Sequence, residues 1–432
     1  MTEDAAAPTR RSRWRRAWIR IFVFVLLVLL ARAGLDLWAG HRVDQEVARL
    51  EKRYGSLAER TLRLPPVPAA DNRARVVRAA AALIILDNGS HEHRAVGRFL
   101  ASRTKPPVPA DVRAFVEANR AAIRVAEDSR VRRQSNWEVD YVSDRGMPPL
   151  MELRTLSNAI CVSSLIDLEE GRPDGAAQTI GAGLAVASTL RQEPSLIAQL
   201  IRIAVTIVQV PALQQLVAQA EPSKAALQDV ARWLAENRTP DPIQVGLLAD
   251  VKRVHAMMTR LERGQLEYLS GVTGDPPSWF ASPLARLGRS LIRLAHVRYL
   301  QQMGALLDLQ AGPRPRPEFA SVVTPSRWSW VRRWDSMFTA GLVRTIESGD
   351  LFESELNAAE LAVALRRFRL DRGAYPDELS ALVPGYLASV PIDPFTGRPP
   401  VYTRKGAGFE LHAEGPKNRT PRPPELDWVV AR

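Results

Sequence analysis

Apolar positions recur along most of this chain every three or four residues, the spacing of one face of a helix. The first apolar block differs, because Ile21 to Ala31 is unbroken. Beyond it, Val43, Val47, Leu50 and Tyr54 share a face of a helix expected over 44–60, which Leu64-Pro65-Pro66-Val67-Pro68 stops. Asp71-Asn72 offers a cap for a helix over 73–86, which Asn88-Gly89 ends, and further helices are expected over 91–102, 111–128 and 149–170. Gly171-Arg172-Pro173-Asp174 then turns the chain into a second helix ending near Arg191, an αα-hairpin with small Ala and Gly residues for close packing. No second copy follows at a fixed period, so a repeat array is not expected.

Residues 194–220 are apolar enough to raise a second membrane span. Gln199, Arg202 and Gln209 interrupt them and Pro211 breaks them, so a buried core helix is expected instead. Helices over 223–236, 242–269, 282–310 and 326–345 complete the region, with Gly312-Pro313-Arg314-Pro315-Arg316-Pro317 as a stiff spacer.

The first apolar block reads as a membrane anchor. Arg10, Arg11, Arg13, Arg15, Arg16 and Arg20 precede it, Trp14 and Trp18 stand at its near edge, and Trp38 marks the far edge. The excess of positive charge before the span predicts an N-in orientation in a bacterial inner membrane, with the bulk of the chain outside the cytoplasm. The competing reading is a signal peptide cleaved at Ala31-Arg32-Ala33, which has the small-x-small form. The expected organisation is a basic cytoplasmic tail over 1–20, a transmembrane signal anchor over 21–40 and a juxtamembrane helix over 41–64. A helical extracytoplasmic domain over 71–347, a small α+β module over 353–416 and a tail over 417–432 follow.

Composition changes this picture little. The 432 residues include few aromatics and carry a formal net charge of +12, read here as solvated helix faces plus the membrane-flanking cluster. Nucleic acid is not an expected partner; the lipid bilayer, through the N-terminal helix, and an envelope protein are. The single cysteine, Cys161, lies in an apolar stretch and reads as a structural thiol. His91-Glu92-His93 resembles a metal motif, but positions i and i+2 of a helix point apart and no partner ligands follow at zinc-like spacing. His41, His255, His296 and His412 stand isolated in sequence, and Glu169-Glu170 reads as an exposed helix end. Trp330, Trp334, Met337 and Phe338 fall on one helix face, so the Arg- and Trp-rich segment 327–334 reads as a core stripe. Neither a Gly-x-Ser-x-Gly elbow nor a phosphate loop or dinucleotide fingerprint is present, and no catalytic, cofactor or metal residue is expected.

The C-terminal region is more specific. A helix carrying Leu361, Leu365 and Phe368 ends at Asp371-Arg372-Gly373, and Tyr375-Pro376, a short helix over 377–383, Tyr386-Leu387 and Val390-Pro391 follow. Asp393-Pro394-Phe395-Thr396-Gly397 then leads to a β-hairpin around Val401-Tyr402 and Phe409-Glu410-Leu411, and the module closes at Gly415-Pro416. In this order, Gly373, Tyr375, Pro376, Pro391, Asp393, Pro394, Phe395, Gly397, Tyr402, Gly415 and Pro416 resemble the C-terminal half of the major pseudopilin of type II secretion systems. The resemblance covers about the last sixth of the chain. It implies a compact α+β module and a link to a secretion or pilus-like system. The family's prepilin-peptidase site and the acid of its stem are missing from Ile21 to Ala31, and Lys417-Asn418-Arg419 stand where the family places calcium-binding acids. The whole layout resembles that of single-pass bacterial envelope proteins. The expected function is a membrane-tethered extracytoplasmic scaffold or interaction protein, against an envelope hydrolase or ligand-binding protein whose site is assembled from distant residues.

Overall fold

The computed structural model describes residues 10–85, 91–102, 107–141, 147–263, 265, 289–316, 329–416 and 426–430. The chain is mainly helical, with an apolar N-terminal helix and a small three-stranded sheet. The helices are α1 (Arg10–Tyr54), α2 (Arg73–Ala82), α3 (His91–Ala101), α4 (Ala110–Ala118), α5 (Arg120–Asp128), α6 (Leu150–Glu169) and α7 (Pro173–Ser188). They continue with α8 (Leu196–Ile207), α9 (Val210–Gln219), α10 (Lys224–Arg238), α11 (Pro242–Glu262), α12 (Arg289–Gln310) and α13 (Ser329–Arg372). The strands are β1 (Val401–Lys405), β2 (Gly408–His412) and β3 (Asp427–Val430).

By contact the chain divides into two compact units, residues 1–57 with 253–304, and residues 58–252 with 305–432. In the first, α1 changes character along its length. From Trp18 to Leu30 every large apolar side chain is exposed, and an 18-residue window there has a mean hydropathy of 2.2 with none of it buried. Ala39, Val43 and Leu50, one face at helical spacing, are instead buried, as are Val297, Leu300 and Met303 of α12. The helix expected over 44–60 is therefore the continuation of the apolar helix rather than a separate element. It ends at Gly55, whose φ of 82° an L side chain rarely adopts.

In the second unit, α6 and α7 form the expected αα-hairpin, turning at Gly171 (φ 71°). One side of α7 packs on α6 and the other on α10, and α10 in turn packs on α13. The core is aliphatic: Leu156, Ile160, Ile180, Leu184, Leu227, Leu234, Leu361 and Leu365 are all at most 2% exposed. Burying each such side chain is worth about 1.5–3 kcal/mol. Cys161 belongs to this core. Arg73 of α2 crosses it, its guanidinium 4.7 Å from the Trp233 ring and bonded to Ser188 Oγ, Glu236 and the Arg132 carbonyl. Residues 194–220 form two packed helices, α8 and α9, broken ahead of Pro211; they bury Ile203, Val205, Leu213 and Leu216.

The elements differ from sequence expectation at four further places. The helix over 111–128 is two, divided at Asn119, whose side chain accepts from Ile85 N. The helices expected over 326–345 and into Arg372 are one, α13, and the short helix over 377–383 is a single 3₁₀ turn, Leu379–Leu382. The tail over 417–432 contains β3, which pairs antiparallel with β2, Leu411 opposite Trp428. The expected hairpin β1–β2 is present and turns through Gly406, at φ 57°, and Ala407.

Candidate functional site

The polar network of the first unit is built from residues far apart in sequence. His255 and Glu262 lie on one face of α11 at i and i+7, and Arg293 and His296 lie on one face of α12 at i and i+3. His296 is fully buried, with Nδ1 2.8 Å from Glu262 Oε1 and Nε2 3.1 Å from His255 Nδ1. Because a carboxylate only accepts, His296 donates from Nδ1 to Glu262, and its Nε2 shares the second hydrogen bond with His255 Nδ1. Glu262 Oε2 accepts from Arg293 Nε at 3.1 Å, and Arg293 Nη1 reaches the Asp36 carbonyl at 2.8 Å and its carboxylate at 3.0 Å. A continuous chain thus runs from half-buried His255 to Asp36 on α1. Gly40 lets it pass, since a Cβ there would sit 2.9 Å from Arg293 Nη1.

Burial pushes the His255 pKa below its ordinary value of 6.5, with the neighbouring His296 adding to the shift against Glu262 and Glu51. Burial alone would raise Glu262, but His296 and Arg293 outweigh it and hold the carboxyl below its ordinary value. Both shifts have the same consequence. The unfolded chain binds more protons than the folded one, so stability rises with pH and falls on acidification. The loss begins as pH drops below about 6.5 for His255 and, lower, as it falls through the folded value of Glu262. Backbone hydrogen exchange over Arg253–Glu262 and Arg289–Met303 is expected to speed up between pH 7 and 5.5 relative to α6. His255→Gln, which keeps a side-chain donor for His296, should remove most of that difference; an unchanged pH profile in this variant would discard the explanation.

Sequence reasoning took His255 and His296 as isolated, and the structure corrects this: they are hydrogen-bonded partners. The signal that finds them is the His/Glu pair at i and i+7 on one helix with an Arg/His pair at i and i+3 on another. The remaining isolated histidines also have partners, His41 in Gln45 and His412 in Asp427. Glu169 and Glu170 are engaged by Arg113, and Glu169 also accepts from Val108 N. The side chains of His91-Glu92-His93 and of Trp330 and Trp334 lie outside the described residues. Among the described residues, no three His, Cys, Asp or Glu side chains are arranged to hold a metal ion.

The C-terminal motif residues are brought together, and their contacts are structural. Gly373 (φ 78°) ends α13, and Tyr375 sets its buried ring edge-on to Phe409, centroids 4.9 Å apart, with its hydroxyl accepting from Arg366. Tyr402 donates to the Pro376 carbonyl. Asp393 accepts from Ser354 Oγ at 2.7 Å and Phe395 N at 2.8 Å, and its carbonyl accepts from Gly397 N at 2.9 Å. Burial raises the Asp393 pKa against those bonds. Pro394 is buried beside it; Pro391, Gly415 and Pro416 are half-buried in the flanking loops. The crevice lined by Leu184, Gln209, Leu213, Leu234, Phe352 and Glu355 has room for about one water molecule. No family model matches the chain, and neither a curated protein nor a solved structure is found similar to it.

Proposed function

We propose that this protein is a single-pass, membrane-tethered scaffold or interaction protein, with its N terminus in the cytoplasm and its helical bulk outside. The observation that carries this reading is the apolar half of α1. Ile19, Ile21, Phe22, Phe24, Leu27 and Leu30 face outward all round the helix at 43–68% exposure together with their neighbours, an arrangement water would penalise and lipid would cover. The same helix then continues into a packed segment, so the apolar stretch is covalently and rigidly joined to folded structure. That favours a retained anchor over a cleaved leader. The Arg cluster before it supports the N-in orientation. The order of motifs from Gly373 to Pro416 supports a C-terminal docking surface for a secretion or pilus-like assembly.

Cysteine labelling tests this directly, because native Cys161 is fully buried and silent. In spheroplasts, Glu378→Cys is expected to react with a membrane-impermeant maleimide and Thr2→Cys only after permeabilisation, with the protein resisting an alkaline carbonate wash. Recovery of a soluble mature chain beginning at Gly34 would overturn the tethered reading.

A further inference from the structure

A helix rises 1.5 Å per residue, so Trp18 and Trp38 lie about 30 Å apart along α1, the thickness of a bilayer's hydrocarbon core. With Trp18 at one interface, Trp38 and nearby Asp36 stand at the other. The first turn of α12 is fixed at that level: Ser290 Oγ is 3.5 Å from Asp36 Oδ1, and Arg293 bonds both the carbonyl and the carboxylate of Asp36. Glu262 holds Arg293 from the other side, so this turn is not free to lift away from α1 on its own.

The exposed apolar surface continues onto that turn. Leu35 is 40% exposed, Leu37 74% and Trp38 54% on α1, and Leu291 of α12 is 51% exposed. Arg289, also exposed, is the first described residue of α12. The adjacent carboxylate, Asp36, is already engaged by Arg293. Arg289 and Leu291 flank Ser290 on its two sides, so the turn offers one cationic and one apolar side chain at the rim of the apolar span, suited to the phosphate layer and the acyl boundary.

The geometry points to a second lipid contact: the first turn of α12 seats in the outer headgroup region, Leu291 at the acyl boundary and Arg289 against the phosphate of an anionic phospholipid. This rests on the tethered reading of α1. Two contact points, α1 and the α12 turn, would prevent the first unit from rotating freely about the α1 axis and present it to the membrane in one orientation.

The test uses the full chain in vesicles of phosphatidylcholine with or without phosphatidylglycerol, carrying an environment-sensitive fluorophore on Leu27→Cys, Leu291→Cys or Glu378→Cys. Lipids with a deep nitroxide are expected to quench position 27 and lipids with a shallow nitroxide position 291, and neither should quench 378. In anionic vesicles, Arg289→Gln added to the Leu291→Cys chain should lower the ratio of seated to lifted turn about fivefold. Quenching at 27 with a water-like signal at 291 would overturn the inference and leave the anchor standing. No quenching at 27 would overturn the anchor itself. Equal quenching at 291 in both lipids, unaltered by Arg289→Gln, would refute the phosphate contact.

Discussion

Arg202→Leu is expected to lower the unfolding free energy by about 3–5 kcal/mol, an effect near the top of the range for a single substitution. Arg202 lies on α8 and is 0% exposed. Its guanidinium donates to Gln199 Oε1 at 3.1 Å, to the Pro240 carbonyl at 3.0 Å and to the Asn237 carbonyl at 2.5 Å. Asn237 is in the last turn of α10, where carbonyls have no partner within the helix, so the buried cation does the work of a C-terminal cap and complements the helix dipole. Burial, reinforced by Arg191 and opposed by Asp241, pushes its pKa down to about 9, so it is charged at neutral pH. Leucine fills much of the volume but takes the donor from the buried Asn237 carbonyl and Gln199 oxygen and from the Pro240 carbonyl. Arg202→Lys keeps the charge with a different donor geometry and should lose less. Denaturant midpoints of the detergent-solubilised protein, followed by circular dichroism, measure both. A loss below about 1 kcal/mol for the leucine variant would show that water replaces the guanidinium.

The same arginine shows how sequence patterning located the elements without locating their purpose. Gln199, Arg202 and Gln209 were legible as interruptions of an apolar segment, and they argued against a membrane span. Each is a buried anchor: Gln199 bonds the Leu190 and Glu193 carbonyls, and Gln209 bonds Ser157. Polar residues at core positions reveal that a segment is inside a protein, but their partners lie elsewhere in the sequence and follow no local rule. The His255 and His296 pair fails to appear for the same reason, being 41 residues apart on two helices whose packing no periodicity encodes. Local signals fared better. The αα-hairpin at Gly171, the β1–β2 turn and the end of α13 at Gly373 are each dictated by a residue able to take positive φ. β3 was missed because four residues, Asp427 to Val430, are too few for alternation to register, and only pairing with β2 defines them as a strand. α1 was read as two elements because Arg32, Asp36 and Gly40 interrupt its apolar pattern. Asp36 and Gly40 are where Arg293 of α12 meets it, so the break in pattern marks a contact rather than a helix end.

Glu193 provides the second large effect, with opposite outcomes for two substitutions. It sits in the loop before α8 at 1% exposure, its Oε2 accepting from Tyr141 Oη–H at 2.5 Å and its Oε1 from Trp137 N at 3.3 Å. Burial raises its pKa, and the bonds from Tyr141 and Trp137 and the charge of Arg78 only partly oppose that shift. A folded-state carboxyl that binds its proton more tightly than the unfolded one makes the folded state less stable as pH rises through that range. Glu193→Ala removes the acceptor of two buried donors, including the Trp137 amide, and should cost about 2–4 kcal/mol at neutral pH. Glu193→Gln removes the buried charge but keeps an oxygen for the Trp137 amide, while its NH₂ can donate to the Tyr141 hydroxyl, which accepts as readily as it donates. That variant should be as stable as the parent or more so at pH 8, and its stability should vary less between pH 5 and 8. Thermal unfolding across that interval separates the cases. Equal losses for alanine and glutamine would show that the ionised carboxylate itself is required, and that the cost of burying it is outweighed by its bonds to Tyr141 and Trp137.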